Sequence, residues 1–307
     1  MDTVSEKNKK WKKFKDQKML FLLLIIPIVL TFIFKYIPMY GILLAFKDYN
    51  PLVGIWNSKW VGFTYFQQFV NSPNFWTIFI NTLKLSVYGT VLGFFPPIIL
   101  ALMFNQLISQ SAKRRVQLIM YLPNFISVVI LVGMVMLFFS ADGPVTHILQ
   151  MMGFNPPEFL TSPGAFRPLY IVSGIWQGMG WASILYTSTL AGVSPELYEA
   201  ASIDGASIWE KIIHIDLPAL KPVMLINFIL AVGGIMSVGY EKAYLMQTSL
   251  NLPTSEIIAT YVYKVGLQNA DYSYSTAIGL FNTVINLILI IAANETVKKL
   301  NNGKGLY

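Results

Sequence analysis

Long apolar stretches without a charge, separated by short polar segments, dominate the chain. An α-helix needs about 20 predominantly apolar residues to cross a bilayer. The charge-free stretches predict six such helices, at 19–34, 85–104, 116–141, 168–195, 222–240 and 272–294. The first can extend past Lys35, and the second can start near Trp76 if Lys84 faces protein or reaches the bilayer interface. The pattern predicts an all-α, polytopic membrane helical bundle with six transmembrane helices.

Composition agrees with a membrane location. Hydrophobic residues make up 55% of the 307 residues and charged residues 12%, about half of the roughly 25% typical of soluble domains. That charge is too little to cover a soluble surface, and the apolar content excludes intrinsic disorder. The chain has no cysteine and two histidines, His147 and His214. Disulfide scaffolds, thiol catalysis and a histidine-rich metal site are therefore excluded, and we expect no metal site.

Lysine and arginine lie mostly on one side of the predicted bundle. The two ends of the chain, with the loops after the second and fourth spans, carry fifteen of the 22 Lys and Arg residues, and the opposite loops carry six. Positive residues accumulate in cytoplasmic loops, so both termini are expected in the cytoplasm. The net charge of +7 is then a topology signal rather than a sign of nucleic-acid binding. No small-x-small cleavage site follows the first apolar stretch, so we expect a retained helix rather than a signal peptide.

The segment 192–222, between the fourth and fifth spans, is acidic although it lies on the predicted cytoplasmic side. Amphipathic helices that rest on a bilayer usually present Lys or Arg to anionic lipid, which would repel this segment. Docking to a protein partner therefore fits better than docking to lipid. Two lysines accompany its five acidic residues, Glu196, Glu199, Asp204, Glu210 and Asp216.

Local signals divide this segment into two short helices. Ser194 is a favourable N-cap followed by proline, and the first helix should stop at Gly205, where glycine supplies the positive φ of a C-terminal cap. Ser207 and Glu210 have the spacing of a capping box, which predicts a second helix. Because proline disfavours a helical residue before it, we expect this helix to end before Leu217-Pro218.

The same segment carries a more specific pattern. Its parts are Glu199-Ala200-Ala201, Asp204-Gly205-Ala206 and Ile215-Asp216-Leu217-Pro218. This pattern resembles the "EAA" loop of permease subunits of bacterial binding-protein-dependent ABC importers, which precedes the penultimate span in that family.

The resemblance covers most of the chain and implies a type I ABC importer permease fold. Residues 76–295 resemble the transmembrane core with its coupling loop at 192–222. Residues 1–75 then form a basic cytoplasmic tail, the first transmembrane helix and an outer loop, and 296–307 form a cytoplasmic tail. The segments Tyr36-x-Pro38-Met39-Tyr40-Gly41, Ala45-Phe46-Lys47-Asp48-Tyr49 and Trp60-Val61-Gly62 resemble sugar permeases of the maltose/glycerol-phosphate type, in the polysaccharide and complex-oligosaccharide group.

The resemblance implies a transport subunit, not an enzyme, that imports a carbohydrate, expected to be an oligosaccharide, across the bacterial plasma membrane. The chain has no G-x-x-x-x-G-K-[ST] motif, so ATP and Mg would be bound by a cytoplasmic ATPase dimer, and this chain would bind no cofactor itself. A second permease subunit, an extracytoplasmic sugar-binding protein and membrane lipid are the other implied partners. The implied ATPase-coupling residues are Glu199, Ala200, Ala201, Asp204, Gly205, Ala206, Leu217 and Pro218.

Small and polar residues recur at helical spacing on four predicted spans. Any one of these stripes could be a helix–helix contact, but the four together favour a shared polar path. The stripes are Thr82, Ser86, Gly89 and Gly93; Ser173, Gln177, Trp181 and Ser188; Asn227, Ala231, Gly234 and Val238; and Thr276, Gly279, Thr283 and Asn286.

Aromatic faces and amide groups are the side chains that suit a sugar, and the fourth span offers both. The candidate substrate-path residues are Trp176, Gln177, Trp181, Asn227 and Gly234.

Three alternatives remain open on the sequence. The permease could import a non-sugar solute. Ion-coupled transport normally uses intramembrane acids, and the charge-free spans contain none. A membrane-embedded enzyme would need a catalytic constellation, and the pairs His147 with Asp142 and His214 with Asp216 lack a nucleophile.

Overall fold

Helices account for nearly all regular structure in the part of the chain that the computed structural model describes, residues 17–107 and 109–300. The predicted all-α character is confirmed. The lysines before residue 17 and Lys304, which entered the orientation argument, lie outside the described residues. The α-helices are α1 Lys18–Thr31, α2 Gly54–Asn57, α3 Thr64–Val70, α4 Phe75–Asn105, α5 Gln110–Tyr121, α6 Val128–Phe138, α7 Pro144–Met151, α8 Pro163–Ala191, α9 Pro195–Ile203, α10 Ile208–Lys211, α11 Leu217–Gly233, α12 Tyr240–Leu245, α13 Leu252–Ser255, α14 Ile258–Tyr263 and α15 Tyr272–Leu300.

Short segments of other geometry connect or extend these helices. Tight 3-10 turns lie at Ile37–Phe46 and Leu122–Phe125, and wide π turns lie at Phe32–Tyr36, Ile212–Asp216 and Lys264–Gln268. Two two-residue strands, β1 Lys47–Asp48 and β2 Lys59–Trp60, pair antiparallel in the outer loop.

Four helices among the described residues are long and apolar enough to cross a bilayer: Lys18–Phe46, Phe75–Asn105, Ile208–Gly233 and Tyr272–Thr296. Gln110–Phe125 and Val128–Phe138 make a fifth crossing if this pair counts as one span. The 29-residue helix α8 has the length of a span but is less apolar, because glycine, serine, threonine and an arginine interrupt it. The count of six spans and the cytoplasmic position of both termini stay predictions.

The third predicted span, 116–141, is not one straight helix. Its two halves meet at an angle of 98°. Pro123 lies in the last turn of the first half, Ile126 and Ser127 are extended, and the Ser127 hydroxyl then caps α6 by accepting a hydrogen bond from the Ile130 N–H. The charge-free stretch 116–141 therefore identified an apolar region correctly but did not indicate that the helix breaks within it.

Two further helix ends differ from the charge-based boundaries. Helix α8 begins at Pro163, before Arg167, rather than at residue 168. The helix can include this charge because the Arg167 guanidinium donates to the Asn81 side-chain oxygen of α4 at 2.7 Å. Helix α11 ends at Gly233, well before residue 240. Asn286 and Asn282 of α15 bond the Met236 N–H and C=O at 2.9 and 3.2 Å, so they satisfy the backbone groups freed by this early end.

Three apolar clusters hold the bundle together. One joins α4, α6 and α8 to the outer elements through residues such as Leu85 and Phe166, and a second packs α3, α4 and α15 around Phe69. The third, which includes Ile98 and Leu220, joins α4, α8 and α11 toward the end that carries the 192–222 segment. By contrast, the described apolar side chains of α1, from Met19 to Leu30, are exposed. Helices α4, α8 and α11 therefore form a common frame.

Candidate functional site

The first helix of the 192–222 segment, α9, ends at a glycine turn. Gly205 has a φ of +75°. The Ala206 N–H donates to the Ala201 carbonyl at 2.8 Å and the Gly205 N–H to the Ser202 carbonyl at 3.2 Å. This is the Schellman arrangement, which satisfies the last carbonyls of a helix. The predicted stop at Gly205 is confirmed.

The second helix begins as predicted but does not end where predicted. The Ser207 and Glu210 side chains form the full capping box at its start. The expected end before Leu217-Pro218 is wrong, because α10, the wide turn and α11 form one helix, Ile208–Gly233. In the wide turn the Leu217 N–H donates to the Ile212 carbonyl, five residues back. The extra residue in this turn shifts the carbonyls that the Pro218 ring would otherwise meet.

We call α9 and α10 together the hairpin. Its large apolar side chains are exposed: Ile203 is 87% exposed and Trp209 73% exposed, and Leu197 and Ile208 are also exposed, as is Ile213 in the wide turn that follows. Several exposed large apolar side chains within one short polar segment are typical of a docking surface.

The residues that resemble the family loop lie on or beside this surface. Glu199 is exposed and, among the described residues, has no hydrogen-bond or ion-pair partner. Ala200, Asp204, Gly205 and Pro218 are also exposed, whereas Ala201, Ala206 and Leu217 are half-buried.

A buried hydrogen-bond cluster, which the sequence pattern does not single out, lies behind the hairpin. Asp216 has no exposed surface. Its carboxylate accepts from the Tyr198 hydroxyl at 2.5 Å, the Asn105 amide at 3.1 Å and the Gln106 amide at 3.0 Å. No sequence signal could have revealed the cluster, because the α4 residues come from more than 100 positions earlier in the chain. His214, the other half of the rejected pair, lies beside the Glu210 carbonyl.

A cavity of about 700 Å³ opens between α4, α8 and α11. Its volume is in the range of small-molecule sites. Six of its lining residues belong to the predicted stripes: Gly89, Gly93, Trp181, Ser188, Asn227 and Ala231. Among the described residues, α15 supplies none of the lining of this cavity, so three of the four stripes meet there.

The five candidate path residues are not all in one place. Trp181 and Asn227 line the 700 Å³ cavity, where Trp181 is 50% exposed and packs edge-on against Phe125 at 5.7 Å. Trp176 lines a separate apolar cavity of about 270 Å³ beside α6. The Gln177 amide donates to the Ile126 carbonyl at 2.7 Å and so supports the bend before α6. Gly234 caps the end of α11.

Lys242 is a second residue whose placement the sequence does not indicate. It was expected to be one of the outer-loop cations, yet it is only 8% exposed. Its ammonium donates to the Tyr170 carbonyl at 2.7 Å and lies 4.6 Å from the Tyr170 ring centroid. Burial lowers the pKa of Lys242 from 10.5 to about 8.

Comparison with known proteins agrees with this geometry. Residues 89–300 match the model of a family described as binding-protein-dependent transport system inner membrane component. The chain is 41% identical to protein LplB of Bacillus subtilis over 95% of this chain and 92% of that protein. It is 38% identical to the polygalacturonan/rhamnogalacturonan transport system permease protein YteP of the same organism, over 100% and 97% of the two chains.

A solved structure leads to the same family. The structure of a bacterial ABC transporter involved in the import of the acidic polysaccharide alginate contains a chain 38% identical to this one, with a TM-score of 0.85 over 95% of this chain and 99% of that chain. A second structure, of the alginate transporter in complex with an alginate pentasaccharide-bound periplasmic protein, matches with a TM-score of 0.85 and 37% identity, over 96% and 99% of the two chains. These likenesses confirm the resemblance drawn from the EAA pattern. The chain belongs to the family of inner membrane components of binding-protein-dependent transport systems, and so is a transport permease subunit rather than an enzyme.

Proposed function

We propose that this chain is a permease subunit of an ATP-driven importer that carries oligosaccharides across the bacterial plasma membrane. The named transport functions of the related proteins, polygalacturonan/rhamnogalacturonan and alginate import, support a carbohydrate substrate. The chemistry of the 700 Å³ cavity supports it as well. Trp181 offers an aromatic face for the C–H-rich side of a sugar ring, and Asn227 offers an amide for its hydroxyl groups.

One observation carries the proposed coupling to an ATPase: the exposed hairpin and the cavity wall share a single helix. Trp209, on the exposed hairpin, and Asn227, on the cavity wall, both belong to Ile208–Gly233. A partner that moves the hairpin therefore moves the cavity wall through one continuous helix. We assign to Glu199 a charged contact with the ATPase and to Gly205 the turn between the two helices. The small side chains of Ala200, Ala201 and Ala206 allow the ATPase to approach closely.

The remaining partners follow from the same proposal. ATP and Mg are bound by the cytoplasmic ATPase dimer, since the chain carries no phosphate-binding glycine loop. A second permease supplies the other wall of the path. An extracytoplasmic binding protein delivers the sugar, as in the related complex that contains a periplasmic protein.

Vesicles that hold the full complex test the proposal. We expect uptake of an oligosaccharide and ATP hydrolysis stimulated by its binding protein. Glu199→Lys should abolish uptake and weaken retention of the ATPase on purification, while membrane insertion is normal. Lys59→Glu, an exposed charge reversal in the outer loop, is the matched control and should transport normally.

The outcomes separate the parts of the proposal. Normal uptake in the Glu199→Lys complex would refute the assigned coupling contact. A response only to amino acids, peptides or metal ions would refute the carbohydrate substrate and favour a permease for another solute.

A further inference from the structure

The buried cluster around Asp216 joins three elements that are distant in the sequence. Tyr198 belongs to α9 of the hairpin, Asp216 immediately precedes α11, and Asn105 and Gln106 form the end of α4. The Asn105 amide also lies 3.2 Å from the Tyr198 hydroxyl, so the members of the cluster contact one another as well as the carboxylate.

The cluster stabilises its carboxylate with uncharged donors alone. The described residues form two ion pairs, Lys264 with Glu256 and Lys298 with Glu295, and neither involves Asp216. A buried carboxylate is costly to desolvate, and it is tolerated when its hydrogen-bond donors are held in place. Burial, followed by the effect of Asp216, raises the pKa of Tyr198 to about 12, so the phenol keeps its proton and remains a donor. Each donor is therefore needed where it is, and the three elements are held in one relative position.

The helix held by this cluster also lines the cavity. Gly89, Gly93 and Pro97 of α4 form part of the wall of the 700 Å³ cavity. In the sequence α4 is not adjacent to the hairpin, which lies between α8 and α11. Beyond the cluster, Ala101 and Leu220 lie in the apolar cluster that packs α4, α8 and α11 together. The contacts between the hairpin side and the cavity side of α4 are thus continuous.

We propose that Asp216 is a positioning residue that holds the hairpin against the end of α4. Movement of the hairpin then reaches this cavity-lining helix directly. The inference rests on the proposed coupling function and extends it. In its absence, movement would pass directly only to α8 and α11, which flank the hairpin in the sequence, and would reach α4 only through the apolar packing of α4 against these two helices. The cluster adds α4, and the hairpin then displaces all three helices that line the cavity.

The test compares Asp216→Asn and Tyr198→Phe with wild type in vesicles that hold the full complex. The side-chain amide introduced by Asp216→Asn could not accept from all three donors, and Tyr198→Phe removes one hydroxyl without changing the exposed docking surface. We expect the ATPase to co-purify normally and ATP hydrolysis to persist, while sugar imported per ATP hydrolysed falls about fivefold or more. The double variant should be no worse than Asp216→Asn alone, because both changes act on one cluster. Asp142→Asn, the same change at an exposed carboxylate between α6 and α7, is the control and should match wild type.

Each outcome decides the inference. An unchanged ratio of import to ATP hydrolysis in both variants overturns it and leaves the proposed function intact. Loss of the ATPase with a normal ratio in the remaining complexes also overturns it, because the cluster would then serve docking alone. If Asp216→Asn does not accumulate, Tyr198→Phe decides by the same ratio. Failure of the wild-type complex to import any sugar would instead refute the proposed function.

Discussion

Gly205 combines a backbone requirement with an open surface. Its φ of +75° favours glycine, but a Cβ at this position would lie in open space, with no atom beyond the neighbouring residues of the described chain within 4 Å. Asn and Asp tolerate this conformation at roughly 1 kcal/mol, so Gly205→Asp should fold and insert. We expect it to abolish uptake, because a charged side chain would enter the docking surface.

The uncharged variant Gly205→Asn separates strain from charge at this position. It should retain partial uptake, as measured in vesicles against equal amounts of inserted complex. Wild-type uptake in the Asp variant would contradict the placement of Gly205 at the docking surface.

Lys242 predicts a pH dependence of stability. Its folded pKa of about 8 lies below the ordinary 10.5, so the unfolded chain binds more protons between these values. Stability should therefore rise as pH increases from about 8 to about 10.5, and at neutral pH the buried charge costs about 3 kcal/mol. Lys242→Met should raise the thermal unfolding midpoint of the purified complex near neutral pH and remove this rise.

The control for Lys242→Met is Lys59→Met, because Lys59 is exposed and lies in the outer loop. Its unfolding midpoint should follow wild type at each pH. A Lys242→Met midpoint equal to wild type at neutral pH would show that the buried ammonium is not destabilising.

Residues whose role is local were readable from the sequence, and residues whose role depends on packing were not. The Gly205 stop and the Ser207 capping box each involve neighbours within a few positions. The burial of Asp216 depends on the end of α4, and that of Lys242 on α8. One sequence shows both simply as charged loop residues.

At the scale of elements, α8 presents two tryptophans to different cavities. Trp181 lines the 700 Å³ cavity with Asn227, and Trp176 lines the apolar cavity beside α6. If the larger cavity is the sugar path, Trp181→Ala should reduce sugar uptake about tenfold or more, because it removes a stacking surface. Trp176→Ala, the same change on the same helix, should leave the concentration for half-maximal uptake unchanged.

Gln177→Ala on α8 tests whether the amide acts on sugar or on structure. Because its partner is the Ile126 carbonyl, we expect a loss of about 0.5–1.5 kcal/mol in stability and only a modest fall in uptake. The measurement is uptake together with thermal unfolding of the purified complex.

For the two tryptophan variants, equal losses of uptake in Trp181→Ala and Trp176→Ala would argue against the larger cavity as the sugar path.

Element boundaries show where charge patterning stops being informative. A helix can include a charge when another helix supplies a partner, as Asn81 does for Arg167. A helix can end without a charge when glycine and a neighbouring helix allow it, as at Gly233, where a Cβ would lie 2.6 Å from Ile290. A helix can also pass a proline through a wide turn, as at Pro218. Each case depends on tertiary contacts that apolar periodicity does not contain.

At the scale of the whole molecule, the sequence predicted the class of protein better than it predicted which residues line the cavity. The apolar stretches and the EAA pattern were enough for a helical membrane permease, because membrane insertion and partner docking act on continuous segments. The cavity was only partly predictable. Small and polar stripes mark both helix contacts and cavity walls, so the stripe on α15 looked equivalent to the stripes that line the cavity.

Within the part of the chain that the structure describes, no element covers most of the apolar surface of the first helix. Between Met19 and Tyr40 the exposed large apolar side chains are 42–70% accessible, whereas Ala45, further along, is buried. Lipid can cover some of this surface. Under the function proposed above, however, a closed path needs a further wall opposite α4, α8 and α11, the helices that line the cavity among the described residues. We therefore expect this chain to be poorly stable alone and to co-purify with a second, different permease. Co-expression followed by light scattering of the purified complex measures its composition and mass. A homodimer of this chain with full sugar transport in reconstituted vesicles would contradict the expectation, since the second wall would then come from an identical copy.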